Sequence, residues 1–148
     1  MKQAVIVSTA RTGLAKSYRG AFNDTHGAQM AGHAIEHAVA RSKVDPALIE
    51  DAFIGCGYPE GWTGGNIARQ AVLRAGLPVT VAAATVNRFC SSGLQAVAMA
   101  SHAITMEGAS AAIAGGVESI SQMPPSRPAQ RRDDWLEANK PEVYMTMI

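Results

Sequence analysis

The sequence lacks the features that mark several functional classes. Thirteen lysines and arginines nearly balance twelve aspartates and glutamates. The net charge of +1 therefore gives no basic excess of the kind that binds nucleic acid. The only two cysteines, Cys56 and Cys90, form no CxxC pair and no metal-ligand spacing, and isolated thiols are typical of a reducing, cytoplasmic setting. No run of about 18 apolar residues and no charged-then-apolar leader is present, so we expect neither a membrane span nor a signal peptide.

Motifs for metals and dinucleotides are missing as well. His33 and His37 have an i, i+4 spacing that can bind metal, but no HExxH glutamate or third ligand lies nearby. We therefore expect an exposed helix face there and no metal site. The glycines of residues 55–61 are spaced wrongly for an NAD-binding turn. The sequence predicts no tightly bound cofactor.

Apolar periodicity predicts alternating strands and helices. Residues 3–8, 51–56, 82–87 and 109–117 have the apolar or β-branched composition of strands, the first of them buried. Helices are expected from Asp24 or Thr25 to about Ser42, from Asn66 to about residue 75, and from Cys90 to about residue 107. This alternation predicts an α/β fold with a mostly parallel sheet packed between helices.

The helix after Cys90 is apolar on almost every face. Its small and apolar residues leave no polar side, which predicts burial all round. A unit of 148 residues with one sheet covers such a helix poorly. We therefore expect another layer of protein beyond it.

Cys90 itself is the strongest candidate for chemistry. A short β-leaning run, residues 84–86, precedes it and the long helix follows, so the thiol is expected at a helix start. Unpaired N–H groups and the helix dipole favour a thiolate there, but by at most about 2 kcal/mol, so a nucleophile would still need a base. The alternative is that Cys90, like most isolated cysteines, only fills space. The strand-turn-helix pattern leaves both interpretations open.

Four sequence blocks resemble those of one enzyme family. Residues 86–95, Val-Asn-Arg-Phe-Cys-Ser-Ser-Gly-Leu-Gln, are similar to the nucleophile motif of the thiolases. Residues 4–12, 66–70 and 115–119 resemble further thiolase blocks, in family order and with family-like spacing. The resemblance implies the N-terminal portion of a thiolase, either a 3-ketoacyl-CoA thiolase or an acetyl-CoA acetyltransferase. It implies that Cys90 is acylated and that its backbone N–H helps to hold the thioester oxygen.

The same resemblance implies a domain organisation and partners. Residues 1–120 correspond to the N-terminal α/β domain, and residues 121–148 to the start of an inserted loop and oligomerisation region. Coenzyme A thioesters are the implied substrates, and a homodimer or homotetramer, or a C-terminal half, the implied protein partner. The resemblance also implies three further catalytic residues: the histidine of a Gly-His-Pro motif, the asparagine of an Asn-Glu-Ala-Phe motif and a second cysteine in a Cys-Gly-Gly-Gly-like context. None of these motifs occurs in this sequence. We therefore expect a chain that is inactive alone.

Three hypotheses remain at this point. The first is acyl transfer within a complete thiolase, with Ser91-Ser92-Gly93 favouring fatty-acid degradation over the biosynthetic acetoacetyl-CoA enzymes. The second is a non-catalytic thiolase-like module for structure or subunit contact. The third is an unrelated cysteine hydrolase, which would need a His–Asp pair that the spacing does not offer.

Overall fold

The structure is a computed structural model that describes residues 2–123 and 132–145. Its helices are α1 (Gly27–Ser42), α2 (Ile67–Arg74), α3 (Ser92–His102), α4 (Asp134–Asn139) and α5 (Glu142–Met145). Its strands are β1 (Ile49–Gly55), β2 (Ala82–Val86) and β3 (Ala111–Gly116). A π-helical turn, Ala103–Glu107, extends α3, and short 3-10 turns connect other elements.

The three strands form one parallel sheet in the order β2-β1-β3. The predicted α/β fold with a parallel sheet is therefore confirmed. Because the strands are parallel and in register, Gly55, Val86 and Gly116 come together at their carboxyl ends. This edge of the sheet is where the chemistry-bearing residues are expected.

Alternating side chains place the sheet between two helical layers. Ala52 and Ile54 of β1 are buried in a cluster with α1 and α2, whereas Phe53 is buried with α3. The small residues of α3 that face the sheet, Ala96 and Ala100, are 0% and 7% exposed. Alanines there let the helix lie close to the strands.

The caps of α1 and α2 differ from the prediction. The Ala28 backbone N–H donates to Nδ1 of His26 at 3.1 Å, so His26, rather than Asp24 or Thr25, caps α1. Asn66 does precede α2, but its side chain bonds to β2, and the Ala68 N–H donates to the hydroxyl of Thr85. These caps come from tertiary neighbours or from a ring nitrogen, which local capping preferences do not capture.

The buried strand predicted for residues 3–8 is wrong. Val5, Ile6 and Val7 are 70%, 78% and 63% exposed, and no strand is assigned there. Within the described chain, residues 2–15 make no backbone–backbone hydrogen bond. A cavity of about 790 Å³ separates this segment from β3, α1 and α3. β3 is an edge strand of the described sheet, but the cavity lies between it and this segment, so no ladder of backbone hydrogen bonds joins the two.

The burial of the long apolar helix is also different from the prediction. Ala96 is buried, but Leu94 and Val97 are 75% and 44% exposed. Only the side of α3 that faces the sheet is covered by the described chain. Leu94 and Val97 are exposed because a single sheet covers only one side of a helix, as the sequence analysis expected of a unit with one sheet.

The sequence after Ser121 has no helical or strand periodicity and therefore predicts a loop or arm. The short helices α4 and α5 correct this, because Asp133 caps α4 through the Leu136 N–H. The Arg132 guanidinium lies over the ring of Tyr144 and pairs with Glu137. The proline-rich residues 124–131 and residues 146–148 lie outside the described residues, and the domain boundary near residue 120 stays a prediction.

Candidate active site

The three loops that leave the carboxyl ends of the sheet form the candidate site. Cys56 and Gly57 follow β1, Cys90 follows β2, and Glu118 follows β3. A pocket of about 480 Å³ lies among these loops. It is lined by Gly55, Gly57, Tyr58, Phe89, Cys90, Ser92, Gly93, Gly116, Val117, Glu118 and Ile120. Ligands of open α/β sheets bind at this end of the strands.

Cys90 lies in the turn that joins β2 to α3. A 3-10 turn, Phe89–Ser91, comes immediately before the first residue of α3, Ser92. The expected strand, turn and helix order around Cys90 is therefore confirmed. Cys90 is exposed, in contrast to the buried Cys56, and both are free thiols. A thiol at this position is accessible to a ligand in the pocket.

Local hydrogen bonds hold the Cys90 turn in an unusual conformation. Phe89 has a φ of 48°, in the left-handed region that non-glycine residues rarely adopt. Its N–H donates to Oδ1 of Asn87 at 2.9 Å. The buried Ser92 hydroxyl donates to the Phe89 carbonyl at 2.6 Å and accepts from the Arg88 N–H at 2.8 Å. Strain of this kind costs about 1–3 kcal/mol and persists only where the surroundings enforce it.

The start of α3 lies directly against the end of β1. A Cβ on Gly55 would be 2.4 Å from the Ser92 carbonyl carbon and 2.5 Å from the Gly93 nitrogen. Only glycine therefore permits this approach of helix and strand. Gly55 thereby determines how close the Cys90 turn comes to the sheet.

Glu118 connects two of the three loops. Its Oε2 accepts from the backbone N–H groups of Gly57 at 2.7 Å and Tyr58 at 3.2 Å. Its Oε1 lies 3.5 Å from Sγ of Cys56, which donates to it. The carboxylate thus ties the loop after β1 to the loop after β3, beside Cys90.

Cys56 is held as a neutral thiol. Burial, and then the neighbouring Glu118 carboxylate, raise the pKa of Cys56 from 9.0 to about 11. The residue is 1% exposed and packs with Ala28 and Ile67. Cys56 is therefore a residue of the core.

The histidines lie elsewhere on the molecule. His26 stacks on Trp62 with ring centroids 5.8 Å apart. His33 and His37 pack edge to face, 4.3 Å apart, and are exposed, as the helix pattern predicted. Within residues 2–123 and 132–145, no three histidine, cysteine or acidic side chains come together as metal ligands. No helix in these ranges has the length and apolar character that crossing a membrane requires.

The sequence profile of a known family matches almost the whole chain. The family "Thiolase, N-terminal domain" aligns with residues 4–147. This chain belongs to the thiolase family. The resemblance of the four sequence blocks is thereby confirmed.

Two curated relatives of this thiolase-family chain carry the same name, 3-ketoacyl-CoA thiolase. The chain is 42% identical over 147 residues to the 3-ketoacyl-CoA thiolase of Bacillus subtilis strain 168, covering 99% of this chain and 38% of that protein. It is 42% identical over 125 residues to the 3-ketoacyl-CoA thiolase of Aliivibrio salmonicida, covering 84% and 32%. The chain thus spans about a third of the length of these relatives.

The structure brings together residues around the candidate site that the sequence analysis did not connect with one another. Glu118 belongs to the block of residues 115–119 that resembles the thiolases, but its contacts with Gly57 and Tyr58 were not predicted. The signal was available in part, because both segments directly follow strands whose carboxyl ends meet in a parallel sheet. Ser92 and Asn87 form local turn contacts that small polar residues before a helix often make.

Proposed function

We propose that this chain contributes the acyl-accepting cysteine of a 3-ketoacyl-CoA thiolase that acts in fatty-acid degradation. The observation that carries the proposal is the exposed Cys90, in a strained turn at the start of α3 beside a pocket at the carboxyl edge of the sheet. The thiolase family match and the common name of the relatives support the same chemistry. The substrate class is then a coenzyme A thioester.

The proposed reaction has two acyl-transfer stages. The Cys90 thiolate attacks the 3-keto carbon of the substrate, and the C2–C3 bond breaks. The electron pair of that bond leaves with acetyl-CoA as an enolate, which takes up a proton at C2. The thiol of a second coenzyme A then attacks the Cys90 thioester, releasing the shortened acyl-CoA and the free cysteine. A covalent intermediate replaces one difficult step by two easier ones.

Each stage places negative charge on an oxygen, which oriented N–H donors stabilise. We assign one such donor to the backbone N–H of Cys90. Among the described residues, no acceptor is bonded to this N–H. It lies in the turn that leads into α3, where helix N–H groups are also unpaired.

Further groups are needed to complete the site. Proton transfer requires a base, and the sequence contains none of the Gly-His-Pro, Asn-Glu-Ala-Phe or Cys-Gly-Gly-Gly-like motifs. We therefore propose that additional polypeptide supplies these groups and that the 148-residue chain alone does not turn over substrate. The exposed apolar side of α3, with Leu94 and Val97, supports contact with such a partner, including further subunits of a dimer or tetramer. The two free thiols support a cytoplasmic location.

The test is acylation of Cys90. A complete enzyme that contains this chain is incubated with acetyl-CoA, and peptide mapping by mass spectrometry locates the acetyl group. We expect a thioester on Cys90 and none on Cys56, no label in Cys90→Ser, and no thiolysis of acetoacetyl-CoA by the chain alone. Iodoacetamide should alkylate Cys90 well above the rate of a cysteine in an unfolded peptide.

The outcomes separate the alternatives. An inert Cys90, neither acylated nor alkylated faster than the peptide, would favour a non-catalytic thiolase-like module. Measurable thiolysis by the chain would contradict the need for additional polypeptide. The biosynthetic direction would be favoured if a complete enzyme containing this chain condensed acetyl-CoA but did not cleave longer 3-ketoacyl-CoA substrates.

A further inference from the structure

Glu118 has contacts that packing alone does not require. The side chain is exposed, yet one carboxylate oxygen accepts two neighbouring N–H groups and the other faces the buried Cys56 thiol. An exposed glutamate loses side-chain entropy when it is held in one geometry. Hydrogen bonds to a charged acceptor are the stronger class and offset that loss. The arrangement orders the loop after β1.

The loop that Glu118 holds lies against the Cys90 turn. A Cβ on Gly57 would be 3.0 Å from Oε2 of Glu118 and 3.5 Å from the carbonyl oxygen of Phe89. The Glu118 carboxylate and the carbonyl of the residue before Cys90 therefore lie on the same face of Gly57. The same residues line the pocket that contains Cys90.

The Cys90 turn needs external support. Phe89 has a φ of 48°, and such a residue keeps its conformation only when its surroundings enforce it. Ser92 supports the turn from within α3, and Gly55 supports it from the sheet. Gly57 borders the turn at the Phe89 carbonyl.

We propose that Glu118 is a positioning residue for Cys90. Its carboxylate holds the Gly57–Tyr58 segment against Phe89 and so keeps the turn in its left-handed conformation. The inference rests on the proposed function in that the positioned group is the nucleophile. Glu118 is not in contact with the reacting sulfur through any hydrogen bond of the described residues, so its effect is exerted through the loop.

Two substitutions separate the acceptor from the charge. Glu118→Gln removes the charge but keeps an oxygen that can accept from Gly57 and Tyr58. Glu118→Asp keeps the charge but shortens the side chain by one methylene, so the oxygens no longer reach the loop. Glu118→Ala removes both, and Glu36→Ala, an exposed glutamate on α1, is the matched control. Circular dichroism verifies that each full-length variant is folded.

The readouts are hydrogen exchange of the backbone amides, resolved by NMR, and the alkylation rate of Cys90 by iodoacetamide. In Glu118→Ala and Glu118→Asp, we expect exchange of the Gly57 amide to rise about tenfold or more, the loss expected for a bond to a charged acceptor. Exchange at Phe89 and Ser91, whose N–H groups are hydrogen-bonded within the turn, should rise with it, and the alkylation rate of Cys90 should change at least about threefold. Glu118→Gln should show a smaller rise than Glu118→Ala, because its neutral oxygen still accepts but makes the weaker bond, and Glu36→Ala should stay within about twofold of wild type.

Two results would overturn the inference. One is faster exchange at Gly57 with unchanged exchange at Phe89 and Ser91, because the loop would then not support the turn. The other is wild-type behaviour of Glu118→Asp with a loosened Glu118→Gln, because charge rather than reach would then matter. Neither readout requires acylation, so a Cys90 that takes no acetyl group would refute the proposed function and leave this test standing.

Discussion

Substitution of Gly55 by alanine tests the closest contact beneath the candidate site. The added methyl would lie 2.4 Å, 2.5 Å and 2.6 Å from the carbonyl carbon of Ser92, the nitrogen of Gly93 and the oxygen of Ser92. All three are backbone atoms, and no side-chain rotation relieves the overlap. An ordinary contact begins near 3.4 Å, so β1 and the start of α3 would have to separate by roughly 1 Å.

The magnitude follows from the rigidity of both elements. Overpacking in a closely packed interior costs about 1–3 kcal/mol, and here neither a strand in the middle of the sheet nor the start of a helix can yield cheaply. We expect Gly55→Ala to lower the free energy of unfolding by about 3 kcal/mol. The rate at which iodoacetamide alkylates Cys90 should also fall toward that of a cysteine in an unfolded peptide, because the turn moves with α3.

Gly93→Ala is the matched control. Gly93 is in the first turn of α3, and a Cβ there would meet no atom within 4 Å. Alanine is favoured over glycine in helices by up to about 1 kcal/mol, so this variant should be as stable as wild type or slightly more stable. Urea unfolding followed by circular dichroism gives the midpoint and slope for all three proteins. Unfolding midpoints of Gly55→Ala and Gly93→Ala that differ by less than the equivalent of about 0.5 kcal/mol would refute the close-approach argument.

Two further predictions concern Cys56 and His26. Burial and Glu118 raise the pKa of Cys56 to about 11, so the folded protein holds this proton more tightly than the unfolded chain. Stability should therefore fall as pH rises from about 9 to about 11, by roughly 2–3 kcal/mol, and Cys56→Ser should lack this part of the pH dependence in urea titrations. An equal loss in both proteins would contradict the assignment. His26→Ala should cost about 1 kcal/mol, because the Ala28 N–H loses its acceptor, whereas His26→Asn should retain most of the stability. Equal unfolding midpoints for these two variants would show that the cap contributes nothing.

Local patterns were sufficient for the elements that carry Cys90. The strand before it, the turn and the helix after it were all predicted, because apolar periodicity and short-range hydrogen bonds are properties of neighbouring residues. β1 and β3 were found for the same reason. The parallel sheet followed from the alternation of strands and helices, since parallel neighbours need a crossover between them.

Partners that are distant in the sequence decided the remaining features. Residues 3–8 have the composition of a strand, but a cavity lies between them and the edge strand β3, so they form no ladder and Val5, Ile6 and Val7 are exposed. Capping of Ala68 by Thr85 joins residues 17 apart, and the bond of Glu118 to Gly57 joins residues 61 apart. Composition and periodicity hold no information on such pairs.

Residue patterns alone predicted the α/β class, the three strands of the sheet and the place of Cys90 at a helix start. The surroundings of that thiol, with Gly55 under the start of α3, Gly57 near Phe89 and the Glu118 carboxylate bonded to the loop after β1, became known from the fold. The physical reason is that strand register aligns the ends of β1, β2 and β3, and only that alignment brings their loops into contact.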